Sequence, residues 1–366
     1  MKLFDRGKKI DVYDNIIVID VGTGKVKAIA NGKEYMDSAV VVDRREGKLD
    51  AIYGEKSGIL IGDEALAYIN DESSNVMYPT LEGKITFLND AFFLVTEKAL
   101  RELNINKNFN AIVLCSVDTL PEERLEIASR FKERFPNAEH VLVYPQTVGT
   151  SFYVGQKICF IVDIGEGTTD TILQTTKKEK RIVDGKEKII DRVHIVDAVS
   201  FSTPTACDTA MQWIISEIRS VIGSDILKED AREILIGNIK EYETYDNQTK
   251  RHIKIQTNDI RKRAIVRTIE KLGNEIVSRA SLVEGRDRRG FANGYVVGGG
   301  SKLFVGDKSV AELLSERTGI MFTNAFDIDP PKELQELGIT KENVDPQMIN
   351  VYGFWAKRKK IFQKVK

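Results

Sequence analysis

Two stretches of this chain read alike, and they limit what it can fold into more than anything else in it. One is "NIIVIDVGTGKVKAIA" (15–30) and the other "KICFIVDIGEGTTDTIL" (157–173). Each is an apolar strand that ends on an aspartate, turns at D-[VI]-G-x-G and returns as a second strand. The two align through the second glycine, with an expected offset of one residue in the returning strands. A duplicated strand–turn–strand unit, each copy followed by helix and strand, implies two related domains facing one cleft. The chain can supply two cores, having 366 residues of which 42% are hydrophobic.

The intervening sequence fits that plan. Residues 1–14 are polar and predict a loose arm or an edge strand. Residues 31–80 carry turn signals such as "NGKE" and "REGK" and predict a small mixed lobe. "LNDAFFLVTEKALREL" has helical periodicity, "NAIVLCSV" reads as a buried strand, "PEERLEIASRFKERF" as a helix with Pro121 near its start, and "HVLVYP" as a strand. Strand, helix, strand in sequence predicts a mostly parallel α/β sheet. After the second Gly-rich turn come a hairpin with Asp184-Gly185 at its tip, the helix "DTAMQWIISEIRSVI", a charged lobe, the helix "AIVRTIEKLGNEIVSRA" and the strand "GYVV" entering "GGGSK". The helices "VAELLSERTG" and "QMINVYGFWAKRKKIFQKV" close the chain.

Glycine at a strand end lets backbone N–H groups approach a ligand with no Cβ in the way, and successive N–H groups make an anion-binding concavity. Three such strand ends (22–24, 165–167 and 298–300) make a nucleotide cleft the leading reading. Asp20 and Asp163 each end an apolar strand, where a carboxylate is costly unless bound or capped. Two hard oxygen ligands facing phosphate suit Mg²⁺, and Asx capping of each turn is the alternative. The P-loop and Rossmann patterns are absent, and both Asp-Gly turns lead into strands. That points to a β-hairpin phosphate clamp.

The net charge of −1 is not the footprint of a nucleic-acid binder, and no sequence-specific nucleic-acid contact is expected. The basic C-terminus "AKRKKIFQKVK" predicts a packed helix with a solvated face, or else a contact with a DNA-bound adaptor or a membrane. Cys115, Cys159 and Cys207 are too scattered for a disulfide framework or a zinc site. No apolar run is long enough to span a bilayer, so a cytoplasmic protein is expected.

A duplicated hairpin clamp followed by Gly-Gly-Gly resembles the actin / heat-shock chaperone / sugar kinase ATPase superfamily. "IDVGTGKVK" (19–27) looks like its first phosphate loop, "VDIGEGTTD" (162–170) like its second and "YVVGGGSKL" (295–303) like its adenosine motif. The order covers nearly the whole chain. The resemblance implies an α/β fold of two duplicated RNase H-like domains, with mixed five-stranded sheets flanking a nucleotide cleft. Domain I would be 1–157 plus 346–366, with a lobe at about 31–80. Domain II would be 158–345, with a lobe at about 223–290. It also implies ATP or ADP and Mg²⁺ as ligands. Asp20, Gly22, Thr23, Gly24 and Lys25 would form the first jaw. Gly165, Gly167, Thr168 and Thr169 would form the second, and Gly298, Gly299, Gly300 and Ser301 the adenosine contact. Asp20 and Asp163 would face the metal. "KEDAREILIGN" (228–238) resembles the helix beside the base, which makes Arg232 and Glu233 candidates.

Within the superfamily, "VLVYPQTVGTSFYVG" (141–155) is similar to the corresponding segment of filament-forming actins of the plasmid-segregation ParM type and of archaeal actins. Gln146 falls where they carry Glu or Gln. A Gln there can orient a water for in-line attack on a γ-phosphate but is no strong base, so slow hydrolysis is implied, with Gln146 and Asp163 as the catalytic pair. The resemblance also implies a polar, head-to-tail filament of identical subunits. A non-filamentous kinase or ATPase of the same fold is the alternative. "DPQMINVYGFWA" resembles a hinge helix, where Asn350 and Gly353 allow close crossing. Glu166 stands where relatives often have Gly, and the resemblance requires its side chain to point away from the phosphates.

Overall fold

The computed structural model describes residues 15–44, 58–71, 74–183, 186–246 and 251–363. The expected N-terminal arm (1–14), the "REGK" turn, the Asp184-Gly185 tip and the last three residues lie outside the described residues.

The first sheet opens with β1 (Ile16–Val21), β2 (Lys25–Ala30) and β3 (Lys33–Ser38). A lobe comes next, with strands β4 (Val41–Arg44), β5 (Gly58–Ile61) and β6 (Ser74–Met77) ordered β5-β4-β6. Then come α1 (Ala91–Glu102), β7 (Phe109–Cys115), α2 (Pro121–Arg134), β8 (Ala138–Pro145) and α3 (Thr147–Tyr153). The sheet order is β8-β7-β1-β2-β3, antiparallel from β1 to β3 and parallel from β1 to β8. β1 and β7 are buried along their whole length, as a central strand covered on both faces must be.

The second sheet repeats this plan. It contains β9 (Cys159–Ile164), β10 (Thr169–Val183), β11 (Lys186–Ile195), the short β12 (Phe201–Thr203), and later β15 (Gly294–Val297) and β16 (Phe322–Asn324). Its order is β11-β10-β9-β15-β16, and β12 pairs with β10 as a sixth strand beyond the expected five. Between β12 and β15 lie α4 (Cys207–Ile222), α5 (Lys228–Ile236), the hairpin β13–β14 (Glu241–Asp246, Arg251–Gln256) and α6 (Asn258–Ala280). α7 (Val310–Thr318) lies between β15 and β16, while α8 (Lys332–Gln335) and α9 (Ile349–Phe362) end the chain. α7 starts on a Ser309–Glu312 capping box and stops at Gly319, whose φ of 71° suits glycine.

Two expectations change. Residues 33–38 belong to the first sheet rather than to the lobe, because Asn31 (φ 52°) and Gly32 (φ 73°) fold the chain straight back along β2. The repeat also runs without an offset: Asp20 pairs across its hairpin with Lys27, and Asp163 with Asp170, seven residues on in each case.

Among the described residues three large apolar clusters form the interior, and a small fourth (Val40, Val42, Leu60, Ala65) lies in the lobe. One lies between the first sheet and α1–α2, and one joins the second sheet to α4, α6 and α7. The third lies between the sheets, where α3 and α9 pack on Ile16, Val18 and Ile112 from one side and Ile161, Ile172 and Val297 from the other. α3 and α9 cross at Gly149 and Gly353, where a Cβ on either residue would run into the other helix's backbone.

Candidate functional site

The two Gly-rich turns are built by the same hydrogen bond. Gly22 N donates to Lys25 O (3.0 Å), and Gly165 N donates to Thr168 O (2.9 Å). At Gly165 a Cβ would sit 2.7 Å from that carbonyl, so the turn needs glycine. The turns meet face to face: a Cβ on Gly167 would lie 2.8 Å from Cγ2 of Thr23. A third bend enters at Gly298 (φ 86°), packed on the Asp163 carboxylate and the Ile164 carbonyl.

Between them lies a cavity of about 510 Å³. That volume suits a bound small molecule. Its polar end holds both turns, Lys27, Gln146 and Asp163. Its apolar end holds Met211, Leu235, Ile236 and Leu303, bordered by Arg232 and Arg261. A ligand with a charged tail and a flat apolar head matches this division.

The floor is a buried charge cluster. Lys27 Nζ lies 2.6 Å from Asp20 Oδ2. Burial pulls the Lys27 pKa down, but Asp20 and Asp163 outweigh it and hold the ammonium above its usual range. Asn350 Nδ2 donates to Asp163 Oδ2 (2.6 Å). Burial pushes Asp163 up to about 6, Lys27 and Asn350 act against that, and Asp20 adds to it. Asp170 is fully buried and accepts from Gln146 Nε2 (2.9 Å), Ser116 Oγ (3.1 Å) and the Val117 N–H (3.3 Å). Burial pushes it up to about 7. Asp20 and Asp163, both buried, share one ammonium here, and Asp170, across the hairpin from Asp163, adds a third buried carboxyl held only by neutral donors. That deficit of positive charge fits a divalent cation, with Asp20 and Asp163 as its acidic neighbours. Among the described residues no three His, Cys, Asp or Glu side chains gather as a ready cage. A cation there would be completed by water and phosphate oxygens.

Most of the residues expected from sequence line this cavity. Gly22, Thr23, Gly24 and Lys25 do so from the first turn, and Gly165, Gly167 and Thr168 from the second. Gln146, Asp163, Arg232, Gly298 and Gly299 complete them. Lys25 is drawn aside to Asp63 (3.2 Å) and Ser38 (3.1 Å). Five others stand back. Asp20 lies behind Lys27. Thr169 Oγ1 donates to the Thr205 carbonyl (2.7 Å), and Ser301 Oγ to the Gly298 carbonyl (2.6 Å). Gly300 packs on Ile164 and Cys207. Glu233 turns out to accept from Asn238 Nδ2 (2.7 Å).

Glu166 departs from expectation. It lines the cavity and crosses it, its carboxylate lying against Gly24 and taking a hydrogen bond from Arg232 Nη2. Lys27 and the Asp170–Gln146 contact were the features missed. Reading the repeat at a constant spacing of seven exposes Lys27 and Asp170 as equivalent places, while the contact with Gln146 depends on the tertiary fold.

Two sheets of one topology, each opening on a Gly-rich hairpin at a shared cleft, define the actin-like fold. Solved structures agree. MreB5 of Spiroplasma citri bound to ADP superposes with TM-score 0.73 at 18% identity, over 97% of this chain and 99% of that one. The AMPPNP-bound form of the same protein gives 0.71 at 18%, over 96% and 97%. A MamK double helical filament gives 0.67 at 15%, over 95% and 99%. No protein-family model and no curated protein matches the chain.

Proposed function

We propose that this chain is an actin-like protein that binds ATP with Mg²⁺, hydrolyses it slowly and polymerises head to tail. The observation carrying this reading is the pair of facing phosphate-type turns above a floor where Gln146 meets Asp170 at 2.9 Å. Asp170 fixes the Gln146 amide, leaving its carbonyl oxygen to accept from a water. That water would be aligned on a γ-phosphate held between the turns. Mg²⁺ beside Asp163 and Asp20 would shield the phosphate charge. Support for the nucleotide comes from MreB5 bound to ADP and AMPPNP, and for assembly from the MamK filament. On this reading domain I is 1–157 plus 346–366 and domain II is 158–345. The return of α9 onto α3 and β1 favours that division. Plasmid segregation of the ParM type or a cytoskeletal role, in the cytoplasm, is the corresponding cellular setting. Among the described residues no helix is long and apolar enough to cross a membrane.

A kinase of the same fold is the second reading, favoured by one observation. Asp163, which lines the cavity and whose pKa burial raises to about 6, could take a proton from an acceptor hydroxyl. Sedimentation of the full chain with ATP–Mg²⁺ or ADP separates the two. Pelleting and filaments with ATP are expected. Turnover raised many-fold by a small-molecule acceptor, with nothing in the pellet, would establish the kinase.

A further inference from the structure

Glu166 is the one acidic side chain inside either phosphate-type turn, between Gly165 and Gly167. It is neither on the surface nor neutralised within its own turn. On one side it lies across the cleft against the first turn, where a Cβ on Gly24 would strike its carboxylate. On the other it accepts from Arg232 Nη2 on α5. Lys228 Nζ stands 3.9 Å off, itself paired with Asp208 Oδ1 at 2.9 Å. Glu166 and Arg232 are both mostly buried, their side chains being 23% and 36% exposed, and both line the cavity. An anion thus already sits between the two turns with a guanidinium against it, on the ground a polyphosphate would need.

We propose that Glu166 is an internal latch on this cleft. In the empty protein its carboxylate bridges the first turn and Arg232, and an incoming polyphosphate displaces it and takes over Arg232. The inference rests on the nucleotide reading above. The latch sets affinity rather than chemistry, because binding is weakened by the fraction of molecules in which Glu166 holds the cleft. Glu166→Gln keeps the shape, removes the competing charge and frees the guanidinium.

The test uses the full chain with Glu166→Gln, Arg232→Gln and the double variant. Hydrogen exchange of the nucleotide-free protein reads the latch directly at residues 22–25 and 165–168. A fluorescent ATP analogue reads affinity. Exchange at both turns should be faster in Glu166→Gln than in the wild type. Its affinity should rise about tenfold, corresponding to a latch closed roughly nine-tenths of the time. In the Arg232→Gln background the same change should give little or no gain, because its beneficiary is gone. Unchanged protection of the turns overturns the latch, and so does weaker nucleotide binding by Glu166→Gln, the sign of a direct contact to sugar hydroxyls. If no variant binds any nucleotide, the nucleotide reading falls, while the exchange at the turns still decides whether Glu166 bridges them.

Discussion

Gln146 and Asp170 act as one unit. Gln146 sits where β8 gives way to α3, its N–H bonded to the Cys115 carbonyl (2.8 Å), and its amide is oriented by Asp170. Gln146→Ala removes the group that would position water and leaves both turns intact. Turnover should slow roughly 10–10³-fold with assembly retained, as measured by phosphate release and pelleting. Asp170 also makes stability depend on pH. Burial raises its pKa from 3.8 to about 7 in the folded chain, so its contribution is full below about pH 4 and fades as pH rises through 7. Melting of the nucleotide-free protein should therefore drop between about pH 4 and 7 and level off above that. Asp170→Asn, which never ionises, should flatten that slope; equal slopes would deny the residue a raised pKa.

At the scale of elements, glycines with different surroundings carry different information. The D-x-G-x-G turns are legible in the sequence because each is local: strand, carboxylate and bare backbone lie within nine residues, 16–24 and 159–167. Lys27 and Asp170 are not, since their roles depend on hairpin register, and an assumed one-residue slip moves a strand residue to the opposite face. The sequence places β3 in the lobe because "NGKE" marks a turn without saying which strand the chain returns along. The apolar end of the cleft draws Met211 from α4, Leu235 and Ile236 from α5 and Leu303 from beyond the third bend, and no single segment signals that meeting. The close crossing at Gly353 is expected from small residues alone, and its sharpness comes from Gly149 on the facing helix. Asn350 sits at the same crossing, accepting from Thr150 Oγ1 (2.7 Å) while donating to Asp163. Gly353→Val must push α9 off α3 and disturb that bridge. A loss on the order of 1–3 kcal/mol in urea unfolding is expected.

At the scale of the whole molecule, the two sheets share one cluster and one cleft, so whatever fills the cleft should stabilise both. A ligand that binds only the folded chain adds about 2.7 kcal/mol at a hundred times its dissociation constant. Gly299 offers a clean way to remove that link. Most glycines at the site cannot accept a side chain without harming the fold: Gly165 would meet the Thr168 carbonyl at 2.7 Å, and Gly298 has φ of 86°. Around Gly299 the nearest atoms to a Cβ belong to Gln347, at 3.7 Å, which is ordinary contact, yet the residue lines the cleft. Gly299→Val should therefore melt close to the wild type when empty, because its added Cβ meets only the Gln347 side chain, at ordinary contact distance, rather than packed backbone. With ATP–Mg²⁺ the wild type should melt several degrees higher and the variant should not move. A variant that gains as much as the wild type would place the nucleotide away from the third bend.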